Sequence, residues 1–328
     1  SRGLQSGDVE RFQKNWYEVA YNSIESSSNR NYIITTSTKK WFKFTNGGSG
    51  RKWFGNLDYV VNWGNNGSEI KSTGRAIIPN EDLYFEECLG YNRVTSDGLK
   101  VRQYQPGILC GDNTPFTPMN NDSIYVLGLL NSVVAKYMIG LFNPSLAAQS
   151  GSVRSIPVRI LNKTAIEGMV NTNISISKQD WNAHETSWDF NENELVRIFK
   201  ASGSGDTLDQ TLNTFIIEWT EKFYELHRNE EELNKEFINI YGLENELTKD
   251  VPLNEVTILQ QKEKDIDNGQ LKWNKDIIIK QLISYAMGCW MGRYRLDKPG
   301  LHIAHPSPTD EEIAPYTEII EHAQDDDD

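Results

Sequence analysis

Residues 31–111 alternate short β-rich runs with Gly and Asn turns, while most of the chain beyond residue 160 carries the 3.6-residue spacing of amphipathic helices. That switch of period constrains the fold more than any other feature. A chain of 328 residues patterned this way is long enough for a sheet-containing unit and a helical unit. The expected class is α+β: a region of short strands with helices beside it, then a mostly helical acidic region. The division is expected near Leu161, giving units 1–161 and 162–328.

Asp8 is a candidate N-cap for a helix over "VERFQKNWYEVAYNSI". The expected strands are "YIITTS", "KWFKFT", "KWFGN", "DYVVNW", "AIIP", "YNRV" and "VRQYQPGILC". Ile124–Phe142 has the length of a membrane span but contains Asn131, Ser132 and Lys136. It reads as a buried helix ended by Asn143-Pro144. "AQSGSVRSIPVRIL" reads as a polar loop leading to a proline turn, and "ASGSGD" as a flexible link. Leu208–Leu243 is expected to form two helices joined near Asn229, and "KDIIIKQLISYAMGCWMGRY" another. The four terminal Asp residues suggest a longer acidic tail.

Charge follows the same division. Residues 1–160 hold 17 basic and 13 acidic residues, a net of +4; the remainder hold 16 and 33, a net of −17. A polyanion could approach the first part, and the second would repel it. Cys88, Cys110 and Cys289 are odd in number and without CxxC spacing, which fits a reducing cytoplasm and neither a disulfide scaffold nor a zinc knuckle.

No phosphate-binding P-loop, HExxH or G-x-S-x-G pattern occurs. The G-x-G steps at 48–50 and 203–205 do not separate a strand from a helix, and His302 and His305 lie in a proline-rich stretch. No catalytic residue or metal site is assigned. One alternative is a magnesium nuclease: Asp58, with Glu69 and Lys71 across a turn, has the D…ExK form in which acids hold the metal and lysine offsets developing charge.

The segment "KKWFKFTNGGSGRKWFGN" concentrates aromatics and cations around a glycine-rich turn. As a hairpin it would put Lys40, Phe42 and Phe44 on one face and Trp41, Lys43 and Thr45 on the other. Arg51, Lys52 and Trp53 would return after the turn. Cations there suit phosphates, and Asn, Arg and Lys can read base edges. The candidate DNA-binding residues are Lys39, Lys40, Trp41, Lys43, Arg51, Lys52, Trp53, Asn65, Asn66, Lys71 and Arg75. Equally, Trp41, Trp53 and Trp63 could be core.

"RGLQSGDVERFQKNWYEV", "KWFKFTNGGSGRKWFGN", "VNWGNNGSEIK", "QDWNAHETSWDF", "NEEELNKEFINIYGLENEL" and "MGCWMGRYRLDKPGL", in this order, resemble the C-terminal part of the large PglX-like adenine-specific DNA methyltransferases of BREX phage-defence and restriction–modification systems. The resemblance implies a target-recognition domain like those of type I specificity subunits, a twisted, mainly antiparallel sheet with flanking helices, with "SGSVRSIPV" as its exit. It implies that the S-adenosylmethionine domain, with its glycine-rich loop and Asn-Pro-Pro-Tyr motif, precedes this fragment; Asn143-Pro144 continues with Ser145-Leu146 instead. No cofactor is then expected here. The implied partners are double-stranded DNA, the missing methyltransferase domain and other defence proteins, with no membrane. A protein-interaction scaffold in the acidic helical part is the third reading.

Overall fold

The computed structural model describes residues 1–93, 98–142, 150–203, 205–302, 309–311 and 314. Asn143-Pro144, His305, Ser204 and the terminal Asp run lie outside them.

The N-terminal part begins with α1 (Val9–Phe12), β1 (Gln13–Asn15), β2 (Ile24–Glu25), α2 (Arg30–Thr35), β3 (Trp41–Thr45), β4 (Tyr59–Asn62) and α3 (Gly64–Ser72). It continues with β5 (Cys88–Tyr91), β6 (Val101–Tyr104), β7 (Leu109–Cys110) and β8 (Phe116–Pro118). Then come α4 (Ser123–Leu130), α5 (Val133–Phe142), α6 (Ser150–Arg154), α7 (Lys163–Asn182), α8 (Glu194–Ala201) and α9 (Leu208–Tyr241). A hairpin of β9 (Lys264–Asp267) and β10 (Gln270–Trp273) leads into α10 (Lys275–Trp290). The class is α+β.

One sheet has the order β1-β4-β3-β2, with β7 also paired to β3. Its β1–β4 and β3–β4 pairs are antiparallel, and β2 and β7 run parallel to β3. A second, antiparallel sheet has the order β6-β5-β8. Cys88 and Cys110, distant in sequence, meet between the two sheets as free thiols 3.6 Å apart.

Several local expectations give way to tertiary contacts. The Asp8 cap is present, accepting from the Arg11 amide, but the helix ends at Phe12. Residues 13–15 instead pair with β4, whose backbone groups would otherwise lie at an open edge. "YIITTS" falls mostly in α2, because the Asn29 side chain caps it by accepting from the Tyr32 amide. The 124–142 stretch divides into α4 and α5, which meet at 72°. Asn131 causes the break: its side-chain amide bonds both backbone groups of Val101, and Asn234 accepts from the Val133 amide. Among the described residues, no single helix is long and apolar enough to cross a membrane. "SGSVR" is helical rather than a loop. Finally, α9 is one continuous helix, with a Thr207–Gln210 capping box and a left-handed Gly242 at its end. Asn229 bonds Asn173 from within it and interrupts nothing.

The largest hydrophobic cluster combines residues from both sides of position 161. Leu89, Tyr91 and Val101 of the second sheet, with Trp53 and Leu99 beside it, pack with Leu127 and Leu129 of α4, Val170 of α7, and Trp219, Phe223 and Phe237 of α9. A second cluster, with Phe12, Phe42, Phe44, Val61, Ile70 and Leu109, fills the space under the first sheet.

Buried charges tie the helical region together. His184, just after α7, donates through Nε2 to Glu263 Oε1 at 2.6 Å, and Gln281 donates to the same oxygen. Burial alone would lower the imidazole pKa, but the Glu263 hydrogen bond and the Asp180 charge outweigh it and hold it above the usual histidine value. Burial opposes the Glu263 charge too; the bond from His184 wins and holds that carboxyl low. A raised histidine pKa gives stability that is lost as pH rises through it, and a lowered glutamate pKa gives stability lost as pH falls through it. The pair therefore stabilises fully between the unfolded values, 4.5 for Glu and 6.5 for His. Thermal melts should show a loss of stability as pH rises above that window, and the loss should shrink in His184→Gln. An unchanged pH slope in the variant would contradict the pairing.

Candidate nucleic-acid interface

Strand β3 alternates as its sequence suggests. Phe42 and Phe44 enter the second core, while Trp41 packs on the other side with Trp16 and Trp188. Lys43 shares that side and places its ammonium 5.2 Å from the Trp188 ring centre. Burial pulls its pKa below the usual lysine value, against the charges of Asp189 and Glu25.

The glycine-rich segment after β3 is not the turn of a tight hairpin. The partner strand returns only at Tyr59, and residues 46–58 leave the sheet. Arg51, Lys52 and Trp53 are 3%, 7% and 1% exposed. Arg51 pairs with Asp180 of α7, whose other oxygen accepts from the Leu259 amide. Lys52 Nζ and Trp53 Nε1 each donate to Glu230 of α9 at 2.7 Å. These three residues therefore attach the segment to the helices rather than meeting solvent. Cations buried in ion pairs cannot contact a phosphate without breaking them, at about 3–5 kcal/mol for a buried pair.

A different set converges at one end of the sheet. Trp41 at the start of β3 lies opposite Asn62 at the end of β4. The Lys40 carbonyl accepts from the Trp63 and Gly64 amides, bringing Lys39 and Lys40 against the start of α3. Lys40 is exposed, with its ammonium 5.7 Å from the Trp41 ring centre. Lys39 Nζ donates to the Asn22 carbonyl.

Asn65, Asn66 and Gly67 all have left-handed backbones, with φ of 49°, 54° and 69°. Asn tolerates this conformation better than most residues. Gly67 is required on a second count, since a Cβ there would lie 2.7 Å from the Trp63 ring. The turn exposes Asn65 and Asn66, and neither side chain makes a hydrogen bond among the described residues. Such strained turns persist where the surroundings enforce them, and they cluster at functional sites.

Beside this turn stands Lys71, paired with Glu81 at 2.5 Å and 5.2 Å from the Trp63 ring centre; the exposed Arg75 lies beyond the end of α3, beside Gly7. Arg11, which sequence reading missed, reaches the same place and pairs with Glu69 at 2.6 Å. Its only signal was its position after the Asp8 cap, which the structure turns toward α3. Glu69 also accepts from Asn62, and these bonds to Arg11 and Asn62 hold its carboxyl below the usual range.

The D…ExK residues do not form the expected hairpin. Glu69 and Lys71 lie on α3 and are each tied to another residue. Asp58 precedes β4, whereas Glu69 bonds Asn62 at its far end, roughly 13 Å along an extended strand. Burial raises the Asp58 carboxyl pKa against the pull of Arg51. Among the described residues, no group of three His, Cys, Asp or Glu side chains is placed to hold a metal ion.

No family model matches the chain. Among curated proteins it is 31% identical over 312 residues to the adenine-specific methyltransferase PglX of Lacticaseibacillus casei (strain Zhang) and 33% identical over 313 residues to BrxX of Escherichia coli O9:H4 (strain HS). The chain matches a segment of the PglX-type adenine-specific methyltransferases. Those matches cover 92% and 93% of it but 25% of each relative, so the PglX-type segment spans about a quarter of their length. Among solved structures it is similar to the type IIL restriction–modification enzyme MmeI in complex with DNA, with TM-score 0.44, 14% identity, and coverage of 76% of this chain and 33% of that one.

The geometry of the turn gives a direct test. Gly67→Ala should cost about 1–3 kcal/mol in denaturant unfolding, from the left-handed backbone and the Trp63 contact. Asn66→Gly should cost far less. Equal, near-zero effects would mean that the turn is not held as described.

Proposed function

We propose that this chain is a DNA target-recognition module of a PglX-type adenine-specific methyltransferase, and that methyl transfer from S-adenosylmethionine is performed by another part of the polypeptide. The observation that carries the reading is the exposed Asn65-Asn66 turn, set among Lys39, Lys40, Lys71 and Arg11, with Arg75 beyond the end of α3, in a chain similar to adenine-specific enzymes. An Asn side chain can pair bidentately with the N6 and N7 edge of adenine in the major groove. The surrounding cations would grip phosphates and set the register. Lys71 and Arg11 are in ion pairs with side chains that are roughly one-third to one-half exposed. Exposed pairs contribute about 0–1 kcal/mol, so exchanging a carboxylate for a phosphate costs little.

The helical region then acts as a platform and as a contact surface for the rest of the polypeptide or for other defence proteins. A stripe of exposed apolar residues on and just beyond α10 favours that role: Ile283, Met287, Trp290 and Met291. Its acidic surface would face away from DNA.

Duplex binding can be followed by fluorescence anisotropy across a salt series. Reversing Lys40, Lys71 and Arg75 to Glu should weaken binding and flatten the slope of log K against log salt by about 0.9 for each phosphate no longer neutralised. Asn65→Ala with Asn66→Ala should leave the slope in place and reduce discrimination between sites by about 1–3 kcal/mol. Unchanged affinity in the charge-reversed variant would overturn the proposed surface.

A further inference from the structure

We propose that Cys88 and Cys110 are a site of reversible oxidation: a hydroperoxide converts them to a disulfide that joins the two sheets, and a dithiol reductant reopens it. Cys88 begins β5, the central strand of the second sheet, and Cys110 ends β7, which pairs with β3 of the first. Folding brings the two together from 22 positions apart, with the sulfurs 3.6 Å from each other and one thiol donating to the other. Cys289, on α10, lies in a different cluster with Phe190, Tyr285 and Tyr294. This inference does not depend on the DNA-recognition reading.

The strands hold the pair in place. Cys88 lies opposite Tyr104 on one side and Pro118 on the other, and Cys110 lies opposite Thr45. Closing from 3.6 Å to the roughly 2.05 Å of a disulfide asks each sulfur to move by about 0.8 Å, which side-chain torsions can supply while the strands stay paired. Burial explains why the thiols persist until an oxidant acts. They are 1% and 3% exposed, and the Leu4 amide donates to the Cys110 carbonyl, laying the N-terminal segment across the end of β7. The hydrogen bond with Cys110, and then burial, push the Cys88 thiol well above its usual pKa. The thiolate is the nucleophile, so oxidation is slow and needs local opening. Hydrogen peroxide, small and uncharged, suits such a site. One thiolate attacks a peroxide oxygen; the O–O bond breaks, the sulfur becomes a sulfenic acid, and the departing hydroxide takes the thiol proton to become water. The second thiolate attacks that sulfur, the S–O bond breaks, and hydroxide again leaves as water with the second thiol proton. Two thiols give up two electrons and two protons, and one peroxide becomes two waters. The adjacent thiol traps the sulfenic acid before it can gain a further oxygen.

Treating the 328-residue chain with hydrogen peroxide tests it, followed by alkylation of free thiols in denaturant and peptide mapping without reductant. The map should show the peptides carrying Cys88 and Cys110 joined to each other, with Cys289 outside the bond, and dithiothreitol should release them. Cys289→Ser leaves the pair untouched, so the same bond should form at the same rate. The oxidised form of that variant should melt several degrees above the reduced form, because the bond restricts a loop of 22 positions in the unfolded chain. Recovery of Cys88 and Cys110 as free thiols after peroxide has consumed Cys289 would overturn the proposal. So would sulfinic acid at either position, pairing with Cys289 or between chains, or a lower melting temperature on crosslinking.

Discussion

Two carboxylates on two helices hold three consecutive residues of a loop, and much of the architecture depends on that contact. Asp180 of α7 takes Arg51; Glu230 of α9 takes both Lys52 and Trp53. All five side chains are buried. Ionised groups removed from water are tolerated only when fully paired, and here each carboxylate satisfies two donors. The Trp53 backbone also continues into the second sheet, donating its amide to Val101 and accepting from Gln103. The loop is thus fixed to helices on one side and to β6 on the other. This explains how a mostly acidic helical region and a mildly basic sheet region share one apolar core.

The clamp also positions the candidate interface. With residues 46–58 drawn away toward α7 and α9, the end of the sheet where β3 starts and β4 finishes remains uncovered by that loop. The left-handed turn at 65–67 fills that end, braced by Trp63, which lies against Tyr84 and under the Lys71 ammonium. Two Asn side chains are left in solvent on a rigid base. Preorganised polar groups of this kind lose little freedom on binding, which favours their use in readout.

Much of this was legible in the sequence, for identifiable reasons. Alternation in "KWFKFT" correctly separated Phe42 and Phe44 from Trp41 and Lys43, because a half-buried strand imposes period two. Periodicity marked the C-terminal helices, and the α+β class followed from the change of period. Arg51 and Lys52 looked like surface groups because composition favours exposed cations, and Trp53 could be read as interface or core; their partners lie 129 to 178 positions away. Distant pairing of that kind leaves no local mark. The turn at 62–71 looked like a strand connection because Asn and Gly serve both hairpins and left-handed turns, and only the packing of Gly67 on Trp63 decides between them. Arg11 was missed because its helix ends one residue later, at Phe12, a boundary set by pairing with β4 rather than by propensity.

The most direct test of the clamp is native-state hydrogen exchange on the chain carrying Glu230→Gln, compared with the parent. The substitution keeps the shape and removes the charge that balances Lys52. If the clamp unites the two regions, protection should fall together in β5–β6 and in α7 and α9. Loss confined to the middle of α9, with the strands 88–104 protected as before, would contradict the account.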